Sequence, residues 1–182
     1  MIIGITGTLG AGKGTVVEYL KTKGFTHYSS SGILKEILVE RGLPATRKNM
    51  SELADELMKT HEGGILQLSH ERAQKEGKEN YILEAIHRPN EAAYIRSIGG
   101  SILGVDANIN TRYARAIQRK EGEKDNVTFD QFLNDSKRED EGAAQTGPNI
   151  RKVLDMADAV VMNNTTQEEL YAQVEEALQK LS

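Results

Sequence analysis

A glycine-rich segment near the amino terminus carries residue types that bind phosphate. It follows an apolar run at residues 2–6 and precedes a segment with helical spacing. Glycines lack a Cβ, so several backbone N–H groups can converge on one anion. A helix that begins at the lysine points its positive end at the same place. The order of strand, loop, lysine and helix argues against a chance glycine turn. The predicted phosphate loop comprises Gly7, Thr8, Leu9, Gly10, Ala11, Gly12, Lys13, Gly14 and Thr15.

Lys13 and Thr15 are the side chains of this loop with the clearest chemical roles. A lysine at this position reaches the β- and γ-phosphates, where charge moves during phosphoryl transfer. The common pattern has Ser or Thr directly after the lysine, whereas Gly14 comes first here. We therefore expect the Thr15 hydroxyl to bond a donor phosphate and to lie near the metal ion.

A second candidate group lies in the segment NYILEAIHRPNE, residues 80–91. Glu84 ends an apolar strand, where a carboxylate can hold Mg²⁺ through water or accept a proton from the acceptor. Four residues later, Arg88 has a planar fork suited to a second phosphate. The alternatives are an acid paired with a lysine and a surface cation at a helix entry. The preceding phosphate loop favours the functional interpretation of both residues.

Arginines flank a charged connector at residues 120–127. Arg112, Arg115 and Arg119 recur at one face of a predicted helix, and Arg138 follows the connector. Arginines that converge on a loop suit a transition state whose charge spreads over phosphoryl oxygens. We assign that role to Arg119 and Arg138 and base stacking to Arg115. Arg112 is expected at the surface, as exposed basic stripes usually are.

Weaker signals come from four other polar residues. The serines at residues 29–31 can cap the next helix, and Ser30 can instead bond an acceptor phosphate at the amino terminus of that helix. Lys35 lies one turn further on, and Arg47 stands in the next connector, within reach of an acceptor. Asn163 follows the last strand and can line the adenine pocket or cap a helix. The four histidines show no metal-ligand spacing and are interpreted as structural.

Composition excludes several classes of protein. With 38% apolar and 27% charged residues among 182, the chain is typical of one globular domain, expected to span 1–182. It has no cysteine, which excludes disulfides and thiolate metal sites. A net charge of −4 argues against binding to duplex nucleic acid. No signal peptide or membrane span is expected, so we predict a cytoplasmic protein without membrane partners.

Strand-like and helix-like segments alternate along the whole chain. This pattern predicts an α/β fold, a parallel sheet with helices on both faces. The predicted strands are residues 2–6, 25–29, 80–85, 101–106 and 158–162. The predicted helices lie near 13–23, 31–41, 48–60, 64–76, 89–98, 108–120, 128–141, 148–156 and 166–180.

Together these segments resemble the nucleoside monophosphate kinases, a group of P-loop kinases. GTLGAGKGT resembles the phosphate loop of adenylate kinases. EAIHR resembles the family's DGFPR, with Glu84 for the aspartate and Arg88 retained. HYSSSGILK resembles the acceptor segment, although Gly32 stands in place of an acid and Lys35 in place of an arginine. RAIQR resembles the arginine pair that enters the lid. EAIHRPNEAAYI and FDQFLNDSKRE resemble phage-type deoxynucleoside monophosphate kinases and an archaeal set of adenylate-kinase-like proteins.

The resemblance implies a three-layer P-loop fold with five parallel strands in the order 2-3-1-4-5. It also implies acceptor-binding helices at about 30–76 and a short lid at about 119–138. The implied cofactors are ATP and Mg²⁺, and the implied partner is a small-molecule phosphate acceptor. The implied reaction is transfer of the γ-phosphoryl group to a nucleoside or deoxynucleoside monophosphate by a monomer or small homo-oligomer.

Two alternative functions remain open at this point. The segment ADAVVMNNTTQEEL, residues 157–170, resembles the end of dephospho-CoA kinases, which would change only the acceptor. Those kinases place an acidic cluster after their second strand, where this chain has Tyr28, Ser29 and Ser30. The second alternative is a nucleotide-dependent switch or slow ATPase that binds protein or RNA. It is suggested by the absent hydroxyl after Lys13.

Overall fold

Parallel strands form a single sheet at the centre of the computed structural model, which describes residues 1–119, 128–141 and 148–181. In these ranges the sheet has five strands in the order β2-β3-β1-β4-β5. All four strand pairs are parallel, as the sequence predicts. The strands are β1 (Ile2–Gly7), β2 (Thr26–Ser29), β3 (Tyr81–Ile86), β4 (Ser101–Asp106) and β5 (Ala159–Met162).

Helices connect the strands and cover both faces of the sheet. Each described helix begins and ends within two residues of its predicted bounds. They are α1 (Lys13–Thr22), α2 (Ser30–Glu40), α3 (Arg47–Thr60), α4 (Ile65–Lys75), α5 (Pro89–Ser97), α6 (Ile109–Arg119), α7 (Phe129–Glu141), α8 (Ile150–Asp155) and α9 (Gln167–Leu181). The predicted lid connector at 120–127 lies outside the described residues.

The strand side chains alternate between two hydrophobic cores. Ile3, Ile5 and Leu103 point to the face covered by α1 and α9. Leu83 and Ile102 point to the opposite face, where α2 to α5 and α8 pack. Both faces are buried because crossover helices cover both sides of a parallel sheet, which explains the nearly continuous apolar strands.

The central position of β1 determines where the site lies. β1 is flanked by β3 and β4, and the chain leaves it toward β2 on one side and returns to β4 on the other. In such sheets, ligands bind in the crevice outside the carboxyl ends of the strands, where the strand order reverses. The phosphate loop leaves β1 at this edge, and Glu84 of β3 lies beside Ile5 in the register.

No helix in the described ranges has the length and apolar character needed to cross a membrane.

Candidate active site

Two glycines give the phosphate loop a shape that other residues would disturb. Gly10 and Gly12 have positive φ angles of 78° and 97°, which L side chains rarely adopt. A Cβ at Gly10 would lie 2.6 Å from the carbonyl oxygen of Arg112, and one at Gly12 would collide with Nδ2 of Asn163. Gly14 differs, since a Cβ there would meet nothing within 4 Å. The loop therefore depends on glycine where it touches α6 and the end of β5.

Several carbonyl groups of the loop are engaged by side chains around it. Lys13 Nζ donates to the carbonyl oxygens of Gly7 at 2.8 Å and Thr8 at 3.2 Å. The Ala11 carbonyl accepts from Asn163 Nδ2 at 2.8 Å and from Arg115 at 3.4 Å. In the first turn of α1, the N–H groups of Thr15 and Val16 donate to the carbonyl oxygen of Gly12 at 3.0 and 3.3 Å. A glycine-rich loop fixed in this way at the amino terminus of a helix fits a polyphosphate chain.

The loop borders a cleft of about 560 Å³ that collects most of the predicted donor-binding residues. This volume lies within the usual range for small-molecule sites. Its lining residues are Leu9, Gly10, Gly12, Lys13, Gly14, Thr15, Glu84, Arg115 and Gln118. Tertiary structure thus places the β3 carboxylate beside the loop, although 69 positions separate Glu84 from Thr15 in the chain.

Glu84 lies close to a histidine from the neighbouring strand. Its Oε2 is 2.8 Å from Nε2 of His27 in β2, and both side chains are about one-fifth exposed. His27 is not among the residues that line the cleft, so its contact with Glu84 is consistent with the interpretation of the histidines as structural.

Two acids hold Arg88 just after the end of β3. Its guanidinium donates to Asp55 of α3 at 2.5 Å, and the side chain is only 14% exposed. Its backbone N–H and that of His87 donate to Glu91 at 3.0 and 2.7 Å. Burial raises the pKa of Glu91, while these backbone hydrogen bonds oppose the rise. The amino terminus of α5 thus fixes the segment that carries Arg88.

The pKa of His87 is shifted by its surroundings and by nearby charged groups. Desolvation and the positive charges of Lys13 and Arg88 lower its pKa to about 4, and Glu84 acts in the opposite direction. A change in the charge of Lys13, Arg88 or Glu84 is therefore expected to shift the pKa of His87.

Arg115 and Asn163 form a joint support for the loop. Arg115 donates to the carbonyl oxygen of Asn163 at 2.9 Å and to its Oδ1 at 3.0 Å. Burial lowers the pKa of Arg115. Asn163 is 6% exposed and bonds Ala11 in turn. The two predicted ATP-binding residues outside the phosphate loop thus lie together beside it.

The expected surface position of Arg112 is wrong. The residue is 5% exposed, and its guanidinium donates to Ser136 Oγ at 2.8 Å and to the Leu9 carbonyl at 3.4 Å. Its burial follows from the close approach of α6 to Gly10, which turns this position toward the loop and α7. Arg138 is exposed, with Asp135 at 3.6 Å, and the Arg119 side chain lies outside the described residues.

The remaining acceptor-side residues lie along α2 and α3. One of the predicted serines caps α2, because Oγ of Ser29 accepts from the N–H of Gly32 at 3.3 Å. The Ser30 hydroxyl is buried without a hydrogen-bond partner among the described residues. Lys35 and Arg47 are exposed, Lys35 on α2 and Arg47 at the start of α3. Neither residue is among those that line the cleft.

The described residues contain no group of three or more acids and histidines arranged to hold a metal ion. Mg²⁺ usually keeps several waters and takes one or two carboxylates plus substrate phosphates. The cleft fits that mode of binding, since it contains the single carboxylate of Glu84 and the hydroxyl of Thr15.

The chain belongs to the AAA domain family AAA_18, whose model matches residues 3–142. It is similar to the UPF0200 protein PH1008 of Pyrococcus horikoshii, with 26% identity over all of this chain and 97% of that protein.

Two solved kinase structures share the fold. Dephospho-CoA kinase from Campylobacter jejuni aligns with a TM-score of 0.55 and 15% identity, covering 100% of this chain and 97% of that one. Shikimate kinase from Bacteroides thetaiotaomicron aligns with a TM-score of 0.59 and 11% identity, covering 98% of each chain. The fold is therefore the one that these small-molecule kinases have, as the strand order predicts.

Proposed function

We propose that this protein transfers the γ-phosphoryl group of ATP to the phosphate of a nucleoside or deoxynucleoside monophosphate. One observation carries the proposal. The cleft that contains the glycine-rich loop and Lys13 also contains the Glu84 carboxylate, and Arg88 follows the end of the strand that carries Glu84 by two residues. A donor loop, an acid and a second anion-binding cation in one place are the components of phosphoryl transfer between two phosphates.

The donor side consists of the loop and its supports. The N–H groups of the loop and of the first turn of α1 hold the donor phosphates, and Thr15 bonds one of them. Lys13 leaves its contacts with Gly7 and Thr8 to neutralise charge on the transferred group. Arg115 and Asn163 hold the loop and border the base. Mg²⁺ bound to the phosphates would neutralise their charge, with Thr15 and Glu84 as its protein contacts, the latter through water.

The acceptor side consists of Arg88 and the helices near it. Arg88 binds the acceptor phosphate through its planar fork, which exchanges its contact with Asp55 for the phosphate. Ser30, Lys35 and Arg47 complete this side. Glu84 orients the attacking acceptor oxygen. That oxygen forms a bond to the γ-phosphorus while the bond from phosphorus to the β–γ bridging oxygen breaks, so ADP leaves with that electron pair.

Arginines complete the arrangement during transfer. Arg119 and Arg138 approach the equatorial oxygens of the transferred group from the lid at about 119–138 and stabilise their charge. Chemistry of this kind needs little covalent participation from the protein, and positioning and electrostatics provide most of the acceleration. We assign this activity to a cytoplasmic monomer or small homo-oligomer.

An acceptor panel tests the proposal. Purified protein with Mg·ATP is incubated with each ribo- and deoxyribonucleoside monophosphate, dephospho-CoA or shikimate, and ADP release is measured. We expect ADP release that depends on one or more monophosphates and disappears in Lys13→Ala, while circular dichroism shows an unchanged fold. ATP turnover that no small acceptor changes would contradict the proposal and favour the nucleotide-dependent switch or slow ATPase.

Dephospho-CoA kinase activity is the second candidate. The segment ADAVVMNNTTQEEL favours it, and the fold likeness to a dephospho-CoA kinase is consistent with it. ADP release with dephospho-CoA alone would select this function. The same donor residues would act, since only the acceptor differs.

A further inference from the structure

Two adjacent residues of the phosphate loop, Thr8 and Leu9, are hydrogen-bonded to side chains from different elements, β4 and α6. Thr8 Oγ1 donates to Asp106 Oδ1 at 2.7 Å, at the end of β4. The carbonyl oxygen of the next residue, Leu9, accepts from Arg112 of α6 at 3.4 Å. Thr8 and Arg112 are both buried, so these anchors lie beneath the loop and away from solvent.

Side-chain contacts through α7 link the two anchoring residues, Arg112 and Asp106. Arg112 donates to Ser136 Oγ at 2.8 Å, and Ser136 lies 3.5 Å from Asp140 Oδ2, one turn further along α7. From the other side, Arg151 of α8 pairs with Asp106 Oδ2 at 3.0 Å and lies 3.6 Å from Asp140 Oδ2. The side chains thus form a closed ring through Thr8, Asp106, Arg151, Asp140, Ser136, Arg112 and Leu9.

Counted in links, Asp140 is the member of the ring furthest from Thr8 and Leu9, and it is the charged residue that α7 contributes. Its side chain is 13% exposed. It faces Arg112 of α6, Arg151 of α8 and Asp106 of β4, and it shares α7 with Ser136. Among the described residues, this carboxylate thus contacts Ser136 within α7 and Arg151 of α8.

We propose that this ring couples the position of α7 to the conformation of the phosphate loop, with Asp140 and Arg151 as positioning residues. The inference rests on the proposed function, since it assigns a purpose to the loop and the lid. A displacement of α7 moves Asp140. Through Arg151 and Asp106, this movement shifts Thr8. Through Ser136 and Arg112, it shifts Leu9. Ordering of the loop by a bound triphosphate stabilises the same arrangement of α7.

Amide hydrogen exchange in the absence of nucleotide tests the ring by itself. We expect Asp140→Asn and Arg151→Met each to raise exchange of the amides of residues 8–14 by about fivefold, a change typical of coupled contacts. Arg151→Lys retains the cation and should restore most of the protection. Exchange in α9 should stay unchanged in every variant, which separates loosening of the loop from general destabilisation.

Matched controls lie on the same helices outside the ring. Asp130→Asn removes an exposed acid from α7, and Lys152→Met removes an exposed cation from α8. Both should leave loop exchange as in the wild type. Equal effects of Asp130→Asn and Asp140→Asn would overturn the proposal, because the loop would then respond to the charge of α7 and not to the ring.

A double-mutant cycle between Thr8 and Asp140, which lie on opposite sides of the ring, completes the test. Thr8→Val cuts the ring at the loop, and Asp140→Asn cuts it at α7. If the ring acts as one unit, the double variant should exchange about as fast as the faster single variant. If the increases in amide exchange of the two single variants multiply in the double variant, the two sites act independently and the proposal is overturned. This measurement needs neither ATP nor an acceptor. Absence of kinase activity would therefore refute the proposed function, but it would not test whether the ring couples α7 to the phosphate loop.

Discussion

The buried amide of Asn163 donates a hydrogen bond to the carbonyl oxygen of Ala11 at 2.8 Å, across 152 positions of the chain. It ties the residue that follows β5 to the phosphate loop, and Arg115 bonds both partners. A Cβ at Gly12 would collide with the same amide. The shape of the loop is thus set partly by a residue near the far end of the sequence.

Replacement of this amide should loosen the loop. In Asn163→Leu, the buried Ala11 carbonyl loses its shortest partner, which costs about 1–3 kcal/mol. We expect the Kd for Mg·ATP, measured by calorimetry, to rise by about tenfold or more. Asn164→Ala removes the neighbouring amide, which instead accepts from the N–H of Asn108, and serves as the control. Equal Kd values for Asn163→Leu and the wild type would contradict the assigned role of Asn163.

Two glycines of the loop should respond oppositely to the same substitution. Gly12→Ala forces a Cβ into a left-handed position beside Asn163, at a cost of about 1–3 kcal/mol. Gly14→Ala places a Cβ in open space within the first turn of α1 and should stabilise the helix by about 0.5–1 kcal/mol. Thermal unfolding should therefore give a lower Tm for Gly12→Ala and a higher Tm for Gly14→Ala.

The contrast also tests how the loop binds nucleotide. Gly14→Ala should retain binding of Mg·ATP, whereas Gly12→Ala should lose it. A lower Tm for Gly14→Ala would show that α1 does not begin at Lys13 as described.

Arg88 should act on the acceptor and not on the donor. Arg88→Ala removes the planar fork and should raise the acceptor KM by at least about tenfold, while the KM for ATP changes little. Asp55→Asn weakens the pairing that occupies the guanidinium, so it should lower the acceptor KM or leave it unchanged. Steady-state kinetics with the best acceptor of the panel measures both. Parallel increases in the two KM values for Arg88→Ala would refute the assignment.

The protonation of His87 should depend on Lys13. With a pKa of about 4, the imidazole is neutral at pH 7. Since the folded-state pKa lies below the usual value of about 6.5, the contribution of His87 to stability is complete above that value and is lost as the pH falls through about 4. Lys13→Met removes one of the cations and should raise the pKa of His87.

An NMR titration of the imidazole measures this pKa directly, with His87→Gln to assign the signal. The control is Lys35→Met, which removes an exposed cation from α2. An unchanged pKa in Lys13→Met would show that Lys13 does not lie close to His87.

The elements that sequence patterns predict well are those with local causes. The strands and helices follow apolar periodicity, and every described helix lies within two residues of its predicted bounds. Gly10 and Gly12 do occupy left-handed positions at a loop between a strand and a helix. The surroundings of single polar side chains were harder to predict. Arg112 is buried although basic stripes are usually exposed, and His27 contacts Glu84 although its spacing gave no metal-ligand signal.

The sequence by itself determined the α/β fold, and the family resemblance gave its strand order. The spacing of glycines and lysine within nine residues determined the place of the phosphate loop. Only the tertiary structure decided what surrounds that loop. Asp106, Arg112 and Asn163 reach it from elements that are about 100 or more positions away. Such contacts depend on how helices pack against the sheet, and packing leaves no fixed spacing in the chain.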